Sequence, residues 1–533
     1  MKRLLSLIVC SATATAFLGQ DIEPEEPGIE LPPTLLEVED LQVEDITALI
    51  PDDEPQLQPV IDIPLPEADD IYLPEEKFDI PYPDQVTAGP ATASLRAAPN
   101  IDIFSDGQIG VGSVNHVRGD LSLYRLGPDP KFNLRFLHDK LDGYGFRGVG
   151  AGFYHSDDIL EGDLSFLPGS AKLGFEAQIY ESSNGLQQQS TQYEALTHRR
   201  ISGGASTRYR INDNLAVFGD ANVEYSQQIL AATSPETSYE LAIVPNIGLD
   251  FQFDLMSFGG AISYELRSVP AVTNSFSAFA TFRLLAIEEL LLGANLNLFW
   301  YDFSRFYVPF SLVADGYVGD FLQYFTEIGY RADRARFSEL WQLFPFIDLS
   351  PARLPEHGWF WSGYIQARFI RTMLLQFDFD FRYLYEGYVA GDAVSADTGL
   401  FPYSYQADYL VLDLGLSYDW EVNSYWGFTF SVNSWIQGGL FQRHSIYPLV
   451  ELAAGVRLHD ARQSIGGELS ISTDITDTLS VPEIQLSGFY RLSERIMFKL
   501  DVVDPLAPLT TRLFWEPFEA PGFHVFLSTT ISL

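Results

Sequence analysis

The chain has 533 residues, a formal charge of −40 and a single cysteine, Cys10. One cysteine rules out a disulfide framework, and nothing in so acidic a chain suggests the basic groove that nucleic acid needs, so no nucleic-acid partner is expected. Beyond the N-terminus no uncharged run of eighteen apolar residues occurs: Leu284 to Trp300 comes nearest and is interrupted by Glu288 and Glu289, so a membrane-crossing helix is not expected.

The chain opens with Met1-Lys2-Arg3, an apolar run from Leu4 to Val9, and small residues from Ser11 to Ala16. A basic start, a short apolar centre and an A-x-A pattern describe a secretory signal peptide over residues 1–20. Cys10 follows Leu7-Ile8-Val9 rather than a small residue, which argues against lipidation. From Asp21 to Asp84 there are 21 acidic residues against the one Lys77, and twelve prolines by Pro83. Such a segment cannot bury enough apolar surface to offset chain entropy, so residues 21–95 are expected to form an acidic, Pro-rich, disordered periplasmic arm. Two readings of the arm stay open: a solvated spacer, or a tail whose apolar phrases bind a periplasmic partner. Residues 96–116 read as a Gly- and Asp-containing transition.

From Val117 onward the chain alternates. The clearest case is Leu375 to Tyr385, LQFDFDFRYLY: Leu375, Phe377, Phe379, Phe381, Tyr383 and Tyr385 share one parity, and Gln376, Asp378, Asp380 and Arg382 the other. In an extended strand those two sets point to opposite faces. The pattern recurs about twenty times, with large aromatics on the apolar face, which is the pattern of a transmembrane β-barrel facing lipid. Short polar turns such as Asn212-Asp213-Asn214 and Arg371-Thr372 alternate with long connections such as 333–358 and 386–407, as periplasmic turns and external loops do. The expected fold is therefore all-β, a single antiparallel outer-membrane barrel over 117–533 with about 22 strands (range 20–24), starting at Val117 and closing with Phe523 to Leu533. The least regular stretches are Gly143 to Tyr154 and the region after Asp504. Pro245 and Pro309 fall inside proposed strands, where each removes a ladder hydrogen bond.

The polar parity names the expected pore lining: Arg208, Arg210, Asp220, Glu224, Asp250, Asp254, Asp378, Asp380, Arg382, Asp413, Asp419, Glu468, Glu483, Arg491 and Asp501, joined by Glu240 and Lys499. Twelve acids minus five bases leaves an excess of seven negative charges, which predicts a preference for cations. At the C-terminus Phe523, Val525, Leu527, Ile531 and Leu533 share a face and the chain ends. This resembles the closing-strand signal that the barrel-assembly machinery reads, although such strands usually end in Phe. With Asp504-Pro505-Leu506 and Pro521-Gly522 ahead of it, the C-terminal end also resembles TonB-dependent receptors. That family's globular plug would need well over a hundred residues, and residues 21–116 are too few and too proline-rich for one. The likeness is thus to a plug-less or porin-like barrel.

Enzymatic function finds little support. His138-Asp139 and His459-Asp460 are adjacent and point to opposite faces, and Asp378 with Asp380 is explained by lumen lining. Asp157-Asp158 and Asp139 with Asp142 match no defined calcium loop, so no metal and no cofactor is expected. His198-Arg199-Arg200 reads as a boundary charge or a grip for an anionic headgroup. The connection from Asp333 to Gly358 carries Phe337, Trp341, Phe344 and Phe346, which is apolar for an exposed loop. It reads either as self-packing at the rim or as a constriction or ligand loop folded into the lumen. The expected function is passage of small polar solutes across the outer membrane, with lipids and the assembly machinery as partners. The alternative is a closed barrel acting through its arm.

Overall fold

A strand with one apolar and one polar face must hide the apolar one from water, and in a bilayer it must also pair both of its edges. The computed structural model meets both demands with a closed sheet. It describes residues 103–533 apart from short stretches at 126–128, 145–146, 270, 288, 351–353, 392, 440–441, 444–448, 476–479, 510–512 and 516. The signal peptide and the acidic arm lie outside the described residues.

The main sheet holds 24 strands, of which Arg305–Tyr307 and Gln442–Arg443 are short segments inside connections; the other 22 form the barrel wall. Sequence neighbours pair antiparallel throughout. The first strand, Phe104–Gly112, pairs with the last, His524–Ser532, through partners such as Gly107 and Ile531, and so closes the ring. Two boundaries differ from the sequence reading. Phe104–Gly112, expected in the transition, is a wall strand: glycines at 107, 110 and 112 hide its alternation but let it pack at the seam, where the Phe526 ring occupies the space above Gly110. Conversely, 143–153 is a connection, with Gly143, Gly150 and Gly152 at positive φ that a strand cannot accommodate. The total of 22 is unchanged. Pro245 does sit inside a strand, Glu236–Gln252, and the ladder to the next strand skips from Ile243 to Asn246 there. Pro309 falls just ahead of the strand Phe310–Val318 but continues its register: its carbonyl accepts from Asn297 N–H at 2.8 Å, and without an N–H of its own it returns no bond.

The outer face is apolar, with large side chains left bare: Ile247, Leu312, Trp361 and Leu527 are each at least half exposed. Aromatics gather in two girdles, Tyr209, Phe321 and Trp426 toward the short turns and Tyr239, Trp300 and Trp359 toward the long connections, as interfacial belts do. Strand length varies around the ring, from Ile496–Val503 (8 residues) to Tyr403–Asn423 (21 residues). About 9–11 tilted residues cross a bilayer. The short turns keep one end level, so the long strands rise past the membrane at the loop end and form a wall on which loops can fold.

Candidate functional site

Four long connections meet at that end. Leu186 from 186–194, Phe337, Leu340, Trp341, Phe344, Phe346, Ile347 and Leu349 from 334–355, Leu400 and Phe401 from 391–402, and Phe518 from 504–523 pack into one buried apolar core. The wall contributes Leu196, Leu230, Val269, Ala390 and Tyr403, bringing the core to 16 residues. These connections are spaced around the ring, so the core spans the mouth of the barrel.

Backbone pairing locks the loops together. Ile347 and Phe401 form a parallel bridge, flanked by hydrogen bonds from Phe401 N–H to the Phe346 carbonyl (2.8 Å) and from Asp348 N–H to the Phe401 carbonyl (2.9 Å). Gln187 exchanges two hydrogen bonds with the backbone of Glu519, at 2.7 and 2.9 Å. The short helix Phe337–Leu343 starts after Arg336, whose N–H is accepted by Glu339.

Buried polar side chains of the inner wall anchor this cap. Glu224 accepts from Ser338 Oγ (2.5 Å) and pairs with Arg336 (3.3 Å) and Arg200 (2.9 Å). Gln228 donates to the Ile347 carbonyl at 2.7 Å and accepts from Leu349 N–H at 3.0 Å. Arg267 donates to the carbonyls of Arg334 and Ala335 at 3.1–3.2 Å, while Glu265 (2.6 Å) and Glu240 (3.8 Å) balance its charge. His198 is buried and stacked on Trp341 (centroids 4.9 Å apart), so it grips no headgroup; burial pins it under the cap, while its neighbour Arg199 pairs with Glu181. Each anchor is a charged or amide group whose loss would leave a buried partner unsatisfied.

Beneath the cap lies a chamber of about 490 Å³ between the loop and the inner wall, lined among others by Glu265, Arg267, Asn297, Arg334, Glu356 and Arg382.

The expected lining residues fall as follows. Glu224 stands on the inner face but lies under the cap. Arg208 pairs with Asp250 at 2.7 Å, Arg382 with Asp380 at 3.1 Å, Lys499 with Asp501 at 2.8 Å, and Asp419 with Arg457 at 2.8 Å. Asp220 accepts from Asn222 and Asn246, Asp378 from Gln376, and Glu483 from Gln485. Asp413 lies opposite Asp380, Glu468 opposite Arg457, and Arg491 opposite Met497, all on the inward parity. Arg210 has that parity too, one step from the turn. Asp254 is the exception: it is exposed in the turn between Glu236–Gln252 and Met256–Val269, where the alternation of Phe253 and Leu255 imitates a strand. Phe337, Trp341, Phe344 and Phe346 are all buried in the loop core. Sequence reasoning did not single out Leu186, Leu400, Phe401 or Phe518, whose only sign was an apolar residue within a polar connection. Nor did it find the cross-strand pairs His138–Asp158 (2.7 Å) and His116–Asp139 (2.8 Å), which register and not sequence adjacency creates. Among the described residues no group of three or more His, Cys, Asp and Glu is placed to hold a metal.

Fold and site together define an outer-membrane-type 22-stranded barrel with a loop-capped mouth. No family model matches the chain, and no curated protein matches its sequence. Solved structures do match: the ferric enterobactin receptor PfeA of Pseudomonas aeruginosa (TM-score 0.61, 12% identity, 81% of this chain and 80% of that one). The siderophore receptor PirA of Acinetobacter baumannii gives a TM-score of 0.62 at 10% identity, over 81% of this chain and 80% of that one. The copper transporter OprC gives the same four values. The likeness read from the C-terminal strands to the barrel of TonB-dependent receptors therefore holds at the level of fold.

Proposed function

We propose that this chain is an outer-membrane transport barrel for small polar solutes, held closed at its external mouth by the loop core and favouring cations along its wall. The observation that carries the reading is the apolar core spanning the mouth above a lumen lined with paired and unpaired carboxylates. A tertiary core across a polar passage is a gate that can open only by coming apart. The neighbours of this fold include receptors and a copper transporter, which supports transport as the class of activity and leaves the solute open. Lipids and the assembly machinery, which reads Phe523, Val525, Leu527, Ile531 and Leu533, belong to the same proposal; Val525, Leu527 and Ile531 share one parity of the closing strand His524–Ser532, and Phe523 and Leu533 flank it.

Ion conductance of the refolded mature chain in planar bilayers tests it. The wild type should conduct rarely, and a Phe346→Ala, Phe518→Ala double variant should conduct frequently. The closed mouth also favours a second reading, a barrel that transports nothing and works through residues 21–95 on a periplasmic partner. Silence of both proteins in the bilayer, with specific capture of a periplasmic protein by the full chain, would replace the first reading by the second.

A further inference from the structure

Among the described residues five arginines line the chamber under the cap, and four are matched by acids: Arg267 by Glu265 at 2.6 Å, Arg331 by Asp333 at 3.0 Å, Arg336 by Glu224 at 3.3 Å and Arg382 by Asp380 at 3.1 Å. Arg334 is not. It is only 8% exposed, yet among the described residues no carboxylate lies within the 4.0 Å of an ion pair. Its side chain donates from Nη1 to Thr273 Oγ1 at 2.8 Å, its one hydrogen bond among the described residues, and its guanidinium carbon sits 5.7 Å from the centroid of the Tyr301 ring. Among the described residues its buried Nε–H has no acceptor. The backbone of Arg334 is itself fixed, because Arg267 donates to its carbonyl at 3.2 Å. The guanidinium is thus aimed by Thr273 and Tyr301 and walled by the chamber.

A buried charge without a counter-charge at ion-pair distance is costly, and a ligand that supplies one offsets that cost. Burial first, and the nearby Arg267 charge second, weaken this guanidinium's hold on its proton and outweigh the opposing pull of Tyr301, Glu240 and Glu265. A planar fork with free N–H groups suits a carboxylate or phosphate oxygen pair, and the cavity volume admits a small solute around it.

We propose that the chamber under the cap binds the oxyanion group of a small solute, with Arg334 as the residue that grips it. It rests on the transport reading only in taking the chamber as part of a solute path. The site explains why an otherwise acidic, largely paired lumen keeps one buried arginine open toward a cavity.

The test is calorimetric titration of the refolded full mature chain in detergent micelles with inorganic phosphate and, separately, with acetate at low ionic strength. Saturable binding of either anion near one per chain is expected, and the preferred anion identifies the source. Arg334→Gln should weaken it about tenfold or more, the loss expected for a hydrogen bond to a charged group. Arg457→Gln, which removes a paired arginine elsewhere on the lumen wall, should leave it unchanged. No saturable binding by the wild type, equal binding by Arg334→Gln, or equal losses in both variants would overturn the site. Should Arg334→Gln fail to show the heat-modifiable band of a folded barrel, Thr273→Val, which removes the acceptor that aims the guanidinium along with a long 3.4 Å bond to the Arg267 carbonyl, takes its place with the same expected direction. Binding by a chain that never conducts would remove the transport reading and keep the site; conduction without binding would do the reverse.

Discussion

Phe346 and Phe518 stack face to face, their ring centroids 3.7 Å apart and their planes 6° from parallel, although they come from connections on different parts of the ring. Both are buried, Phe518 completely. This pair joins the last connection to the loop 334–355 and makes the cap a single packed body.

Phe346→Ala should therefore loosen the cap and leave the barrel. Truncating a buried Phe costs about 3–5 kcal/mol where the site cannot collapse. We expect more frequent openings in planar bilayers and faster proteolysis within 334–355, with the heat-modifiable migration of the barrel unchanged. Loss of the folded band would show that cap and wall form one cooperative unit.

Phe379 lies on the outer face, 4.8 Å from the Trp361 ring, and Asp380 lies on the inner face beside Arg382. Phe379→Arg should cost roughly 2–4 kcal/mol if the site is near the midplane, because the bilayer must take up the charge. Asp380→Asn should cost little, since Asp380 also faces Asp413 across the ladder and neutralising it relieves that opposition. Denaturant unfolding in lipid vesicles ranks the two, and the reverse order would invert the face assignment.

The seam gives a third expectation. A Cβ on Gly110 would meet the Phe526 ring at 2.1 Å, and that ring is held against His116 at 4.1 Å. Gly110→Leu should force the first and last strands apart at a cost on the order of 1–3 kcal/mol, the usual range for overpacking. The folded fraction by heat-modifiable electrophoresis should fall, whereas Gly119→Ala, which meets no atom within 4 Å, should not change it.

The wall predicts selectivity once the cap is open. Eleven of the twelve carboxylates counted from sequence stand on the inner face, Asp254 being the exception, but several are paired, so the preference for cations should be moderate. It should fade with salt as the Debye length falls from about 10 Å at 0.1 M to about 3 Å at 1 M. Reversal potentials of the Phe346→Ala, Phe518→Ala variant under a salt gradient measure it; anion preference at low salt would mean that these groups do not line the path.

Alternation made the wall legible because a strand's two faces meet lipid and water directly, and each residue's surroundings follow from its parity alone. Parity stops reporting surroundings where that link breaks. Phe104–Gly112 carries three glycines and shows no face, and Asp254 sits in a turn whose flanking residues continue the alternation. The cap was half legible: Phe337, Trp341, Phe344 and Phe346 marked one loop as apolar, but its partners Leu186, Leu400, Phe401 and Phe518 are brought to it by closure of the ring. Arg334 was invisible, since an arginine in a polar loop carries no sign of lacking a partner.

The cap is held by a packed core together with backbone bridges, so on the transport reading its opening would be a small unfolding reaction. Sixteen apolar residues would pass from a dry interior into water, with a positive heat-capacity change. Open probability should then trace a curve with temperature rather than a straight Arrhenius line, with a minimum where the cap is most stable and rising on both the warm and the cold side of it. A bacterium using such a barrel would find its surface permeability tied to the temperature of its habitat.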